Sequence, residues 1–411
     1  MLRFFITAFV LFAVILSYLN LNMIWPLNIT NKFKILFSIA LLIIVCKDFI
    51  LRLLFSGGMF TPDAPRWVII AGSVMYAFII IALFLLFIKD LAWLACKLFK
   101  IKFNSDLASR VVIFIALCFS FYGTWEAVRV PDVKYQDFYI KNLSPELEGF
   151  KIALLVDIHA SSLNRREFVQ AVVDKTNALE PDLILIPGDF VDGSVEQRRN
   201  DLEPLKDLRA KFGVLGTSGN HEYYSGYDRW FDVLESFGIN MLENESVIIN
   251  NNLIIAGVPD EQGKTPGFGF STPFPAPDLN KALKNITAVI TSSQDLNLNL
   301  NKALDNINLN NLPVILMDHR PGNARENAKF KIDLQVSGHT HGGQMPGLAQ
   351  IIQKVNKGYV KGWYDVEAEL QDKSKHIMKL YVSPGTSQWG GFPVRIFDNS
   401  EITLFRLKAK N

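Results

Sequence analysis

Lys151-Ile152-Ala153-Leu154-Leu155-Val156-Asp157-Ile158-His159 is an apolar run of buried-strand length that breaks off at an acid, followed two residues later by a histidine. The pattern recurs along the chain. Asp182 to Pro187 runs into Gly188-Asp189-Phe190-Val191-Asp192, and Phe212 to Thr217 into Gly219-Asn220-His221-Glu222. Pro313 to Met317 runs into Asp318-His319, and Lys331 to Ser337 into Gly338-His339-Thr340-His341-Gly342-Gly343. Five of the six histidines fall in these motifs, and only His376 lies outside. Loops leaving the carboxyl ends of strands in an open α/β sheet converge on one edge, so the five motifs predict a single polar site there.

From about Gly149 to Lys408 short β-rich runs alternate with amphipathic stretches, which predicts one α/β domain with a substantial core. Arg165 to Leu179 has helical spacing, with Phe168, Val172 and Ala178 pointing inward. Asp295 to Asn311 places Leu296, Leu300, Leu304 and Ile307 at helical spacing and predicts another helix, while Gly263 to Pro277 reads as a long loop. Strands near Lys379 to Val382 and Glu401 to Leu407 are expected to complete a second sheet.

The residue types point to metal chemistry. Asp157 and His159 sit two apart, which on an extended segment puts both on the same side, within reach of one cation; His339 and His341 repeat the arrangement. Gly342-Gly343 allows a tight turn behind them. Two neighbouring divalent cations need an anionic bridge, and Asp189 is placed to supply it. Asn220 offers a neutral amide oxygen that limits the negative charge facing an anionic substrate.

The first third of the 411 residues is different in kind. Phe4 to Leu19, Phe33 to Cys46, Trp67 to Ile88 and Val111 to Trp125 are apolar stretches, and the third has 22 residues without a charge. A span needs roughly 20 such residues, so the others must borrow flanking positions, and residues 1–128 read as a membrane region of about four all-α spans before a catalytic domain at 129–411. The first stretch has no small-x-small cleavage site and reads as an uncleaved anchor. These features predict a multi-pass protein of the plasma (inner) membrane. Basic residues near the spans divide seven against six between the two faces, with a slight lean of the catalytic domain to the extracytoplasmic side. The formal charge of +2 argues against a nucleic-acid partner. Cys46, Cys96 and Cys118 all lie in or beside the membrane region, which leaves the catalytic domain without a disulfide, thiolate site or cysteine nucleophile.

From about Val130 onward the motifs resemble the calcineurin-like metallophosphoesterase superfamily. The resemblance implies a two-sheet α/β sandwich flanked by helices and two divalent metal ions, Mn, Fe or Zn. It implies that Asp157, His159, Asp189 and His341 hold the first metal and that Asp189, Asn220, His319 and His339 hold the second. By the same resemblance His221 faces the phosphate as a catalytic residue, and Asp192 orients it or a ligand. Phosphoprotein phosphatases of the superfamily carry Arg after the second Asp of Gly-Asp-x-x-Asp, whereas this chain has Gly193. Ser337 to Gln344 is more similar to the bacterial membrane-associated phosphodiesterase branch and to transmembrane proteins with a metallophosphoesterase domain. The expected activity is hydrolysis of phosphodiester or pyrophosphate bonds, with the bilayer and a phosphorylated lipid or lipid-linked nucleotide such as UDP-2,3-diacylglucosamine as partners. The competing class is a non-enzymatic transporter subunit or receptor with a metal-binding soluble domain. Tyr359, Trp363, Tyr364, Trp389 and Phe392 read either as a substrate rim or as core, and Arg395 either as a phosphate contact or as an ion-pair or surface residue.

Overall fold

The computed structural model describes residues 2–56, 62–141, 143–264, 274–290, 309 and 312–410. The chain divides into two compact units, one of residues 1–128 with the segment Gly391–Ile396, the other of Arg129–Gly390 with Phe397–Asn411.

The larger unit is a two-sheet α/β sandwich. Its strands are β1 (Asp132–Lys141), β2 (Lys151–Leu154), β3 (Leu183–Pro187), β4 (Val214–Thr217), β5 (Ile239–Met241), β6 (Glu245–Ile249) and β7 (Leu253–Gly257). They continue with β8 (Ile286–Ile290), β9 (Val314–Met317), β10 (Leu334–Ser337), β11 (Gly362–Glu369), β12 (Lys375–Val382) and β13 (Glu401–Lys410). One sheet has the order β1-β13-β2-β3-β4-β5, the other β11-β12-β10-β9-β7-β6-β8. Strand periodicity explains the layering. Ile152, Leu154, Leu183 and Leu185 of the first sheet meet Val247, Ile249, Ile255, Ile315 and Val336 of the second in one apolar cluster. The alternate residues Ala153, Ile184 and Ile186 face outward onto Phe168, Val169, Val172 and Trp230 of covering helices. Both faces of the central strands are therefore buried, which is why they read as continuous apolar runs. Each fully buried Ile or Leu stabilises the fold by about 1.5 to 3 kcal/mol.

Three sequence expectations change. β13 belongs to the first sheet, parallel to β1 and antiparallel to β2, so only β12 extends the second. Ile402 and Leu404 face the helices while Phe405 and Leu407 enter the core between the sheets, a register that pairing with β2 enforces. The first long helix runs Arg166–Asn177 and buries Phe168, Val169, Val172 and Val173, whereas Ala178 is exposed at its C-cap. The expected helix at 295–311 lies, apart from Leu309, outside the described residues; of the loop at 263–277, Gly263 and Lys264 close a short 3-10 turn, Glu261–Lys264.

In the smaller unit the four apolar stretches fall in helices Leu2–Leu19, Asn31–Val45, Arg66–Leu98 and Ser105–Val128. The last two, of 33 and 24 residues, are long and apolar enough to cross a membrane. At 1.5 Å per residue they reach about 50 and 36 Å, beyond the roughly 30 Å hydrocarbon thickness. Lys89 and Asp90 follow the apolar run of Arg66–Leu98 and are satisfied there: Lys89 donates to the Asn22 carbonyl, and the Tyr18 hydroxyl donates to Asp90. Gly123 allows the segment Gly391–Ile396 to approach, since a Cβ there would lie 2.9 Å from Val394 Cγ1, and the Arg395 N–H donates to the Gly123 carbonyl at 2.8 Å. Phe392 stacks edge-on against Tyr76 at 5.4 Å, and the Arg395 side chain is fully buried. Phe392 and Arg395 both lie in the smaller unit.

Candidate metal centre

Each motif leaves the carboxyl end of its strand: Asp157 after β2, Asp189 after β3, Asn220 after β4, His319 after β9 and His339 after β10. The backbone at these positions is not extended. Asp157, His159, Asp189, His339 and His341 all have left-handed φ, between 45° and 67°, so the same-side alternation expected of an extended segment does not hold. A non-glycine residue there costs of order 1 to 3 kcal/mol and persists only where the surroundings impose it. Glu222 is part of that imposition. Its carboxylate accepts from the N–H groups of Asp189 (2.9 Å), Phe190 (2.8 Å), Val191 (3.3 Å) and Gly219 (2.7 Å). The two loops it ties together touch directly, because a Cβ on Gly219 would lie 2.2 Å from Asp189 Oδ1.

The fold brings eight of the nine expected site residues into contact, and the ninth, buried Asn220, immediately precedes His221, whose N–H donates to Asp189 at 2.9 Å. Three overlapping groups have ligand atoms mutually within 4.8 Å: Asp157, His159 and His341; His159, Asp189 and His221; Asp189, His319 and His339. The His159 and His341 Nε2 atoms are 3.2 Å apart, and Asp189 Oδ2 lies 3.6 Å from His159 Nε2 and 3.1 Å from His319 Nε2. Two imidazoles on one tetrahedral cation at about 2.05 Å would be about 3.3 Å apart, so the spacing fits a shared ion. His319 Nδ1 donates to the Pro187 carbonyl at 2.9 Å, which fixes its tautomer and leaves Nε2 as the donor atom. The buried Asn220 Oδ1 accepts no hydrogen bond among the described residues, as a neutral ligand oxygen would. Asp192 Oδ1 lies 3.1 Å from His159 Nδ1 and 2.5 Å from His221 Nδ1, holding both rings by the nitrogen turned away from the cluster. The His339 N–H donates to Asp157 at 3.1 Å.

The charges say what the cluster lacks in the chain alone. Burial opposes a proton on His319, yet Asp189 and Asp157 push it up to about 10. His221, also opposed by burial, is raised to about 9 by Asp189 and Asp192. Burial and the charge of His319 drive His339 well below its ordinary value, while burial pushes Asp157 up. Asp189 stays well below the carboxylate range despite burial, because His319, His221 and His159 surround it. Protons on two histidines thus balance the acids, a role that divalent cations would take over with proton release.

A family model described as calcineurin-like phosphoesterase matches residues 150–343, the span that holds every one of these residues. A metallophosphoesterase of Helicobacter pylori is 33% identical over 70% of this chain and 67% of its own length. One from Campylobacter jejuni is 31% identical over 79% of each chain. The chain belongs to the calcineurin-like phosphoesterase family. It is accordingly a phosphoric ester hydrolase of a family that uses divalent metals. A transmembrane protein with metallophosphoesterase domain from Danio rerio is 29% identical over 84% of this chain and 74% of its own length, and with the two long apolar helices it points to membrane association.

Of the possible rim aromatics, Trp389 lies beside the site, 6.3 Å from the His221 ring. Tyr359 and Tyr364 pack on each other in the outer core at 5.0 Å, and Trp363 packs between the sheets against Phe138, Tyr381 and Phe405. Sequence reasoning assigned no role to Tyr224, which is exposed 5.4 Å from His221, or to Arg320, whose Nε donates to both oxygens of buried Asp260 at 3.1 and 2.8 Å. It also passed over Glu222 as the residue that ties this phosphoesterase's ligand loops. One signal was present: Gly219-x-x-Glu222 has capping-box spacing, which the short helix Asn220–Ser225 uses.

Proposed function

We propose that this phosphoesterase is a dinuclear enzyme anchored in the plasma membrane by several spans, with its catalytic unit on the extracytoplasmic side, hydrolysing phosphodiester or pyrophosphate bonds of a lipid or lipid-linked nucleotide. The observation that carries the dinuclear reading is Asp189, whose carboxylate is shared by ligand groups on either side of it. In this reading Asp157, His159, Asp189 and His341 hold one cation, and Asp189, Asn220, His319 and His339 the other. Mn, Fe and Zn all suit a donor set of imidazole and carboxylate. Such cations polarise a phosphoryl oxygen and lower the pKa of a bound water from 15.7 to about 7.

The remaining steps fall to side chains. Asp192 keeps a proton on His221 by accepting from Nδ1, so the imidazolium stands ready to donate to the leaving oxygen and to offset developing negative charge. Asn220 adds no charge where an anionic substrate must approach. Trp389 and Tyr224 beside His221 offer apolar surface to the leaving group.

Metal analysis of the full-length protein, with hydrolysis of an aryl phosphodiester, tests the dinuclear reading, which predicts about two divalent ions per chain. The lipid reading predicts a higher kcat/KM on a phosphodiester or pyrophosphate lipid in the protein's own bilayer than on the aryl ester. The reverse preference would discard it. Protease access to the catalytic unit in sealed cells reads the side.

A further inference from the structure

The helix Leu348–Val355 packs on the loop of His339 and His341, yet none of its residues is buried. A Cβ on Gly343 would come within 2.4 Å of Ala349 Cα, so helix and loop are in direct contact. Leu348, Ile351, Ile352 and Val355 fall at i, i+3, i+4 and i+7, a single apolar stripe. Ile351 is 62% exposed and Val355 75%. With Ile377 they are the exposed Leu, Ile and Val residues of the catalytic unit among those described. Other helices of the unit cover such stripes: Val169 and Val172 of Arg166–Asn177, and Trp230 and Leu234 of Tyr227–Ser236, are buried.

Charge favours one occupant. From Thr340 to Tyr364 the chain has Lys354, Lys357 and Lys361 and no Asp or Glu. Lys354 and Lys357 are exposed. Lys361 pairs with Asp398 at 2.7 Å and Glu326 is an acid near Lys357, but the helix itself has no acid. Protein interfaces are depleted of lysine, whereas an apolar stripe edged by exposed lysines suits the headgroup region of an anionic bilayer. A bilayer is also close in the chain, since only residues 129–131 separate the membrane-length helix Ser105–Val128 from β1.

We propose that Leu348–Val355 is a membrane-surface helix, seating Leu348, Ile351 and Val355 in an anionic lipid bilayer with Lys354 and Lys357 at the headgroup phosphates. It carries the loop of His339 and His341 to the lipid surface, which deepens the lipid-substrate reading, but its test needs no turnover. The full-length protein is placed in nanodiscs of phosphatidylcholine alone or with roughly a third phosphatidylglycerol. Amide hydrogen exchange of residues 348–355 should slow about tenfold in the anionic discs, while exchange in the β11–β12 turn at Lys373 stays unchanged. Lys354→Glu with Lys357→Glu should abolish the slowing at unchanged metal content. A fluorophore on Val355→Cys, with the three native cysteines replaced, should be quenched by nitroxide lipids in the anionic discs.

Equal exchange in both discs together with an unquenched label would overturn the proposal. So would a disulfide between Val355→Cys of two copies formed in place of lipid quenching, which would assign the stripe to a second copy of the chain. Docking without lipid hydrolysis would sink only the substrate reading, and lipid hydrolysis without docking only this one.

Discussion

The two sheets bring different chemistry to their shared edge. Loops of the first, after β2, β3 and β4, supply the acids Asp157, Asp189, Asp192 and Glu222, with Asn220, His159 and His221. Loops of the second, after β9 and β10, supply the imidazoles His319, His339 and His341. The acids are thus concentrated on one sheet while the other brings imidazoles, and two of the three ligand groups draw on both. Such a centre exists only while the sheets are packed, so the apolar core between them is also what assembles the site.

Asp189→Ala removes the acid common to both sides. It should empty the centre of metal and lower kcat/KM on an aryl phosphodiester by roughly 10³-fold or more. His319→Ala, from the second sheet, should lose about one equivalent. Retention of both ions in either variant, read by elemental analysis, would mean that the sheets do not share a centre.

His221→Ala should keep its metal and lower turnover by roughly 10² to 10⁴, the range for a positioned acid. Loss of metal in that variant would make His221 a ligand. A smaller effect is expected where the first sheet only supports the site. Glu222→Gln keeps the size but weakens the acceptor of four N–H groups, and metal affinity should fall about 10- to 100-fold, read by competition with a chelator.

The smallest effect is on stability against pH. His319 and His221 are raised from 6.5 to about 10 and about 9, so their protons stabilise the metal-free fold fully below pH 6.5. That contribution is lost as pH rises through 9 and 10. Glu222, pushed up to about 8 by burial and by Asp189, acts in the same direction. In chelator the Tm should therefore fall between pH 7 and 10, while the metal-loaded protein, whose acids no longer depend on protons, should change less. Parallel curves in a calorimeter would show that protons do not stand in for cations here.

Much of the centre was legible in the residues because strand and ligand are adjacent in sequence: Leu183–Pro187 announces itself by its apolar run, and Asp189 follows it. The left-handed backbone of Asp157 and His159 was not legible, since Asp and His adopt it only occasionally and the surrounding structure must impose it. The role of Glu222 is not legible in its neighbourhood because its four partners come from another loop as well as its own. Trp363 and Trp389 look alike in sequence, yet one packs between the sheets and the other beside His221.

A few neighbouring residues at a time make legible the candidate ligand types, the strand before each motif and the apolar character of the first third. Which candidate ligands meet around Asp189, that β13 enters the first sheet and that none of Leu348–Val355 is buried among the described residues come from tertiary packing alone. The physical reason is that these depend on packing between strands out of chain order, as where β13 lies between β1 and β2 and β12 beside β10.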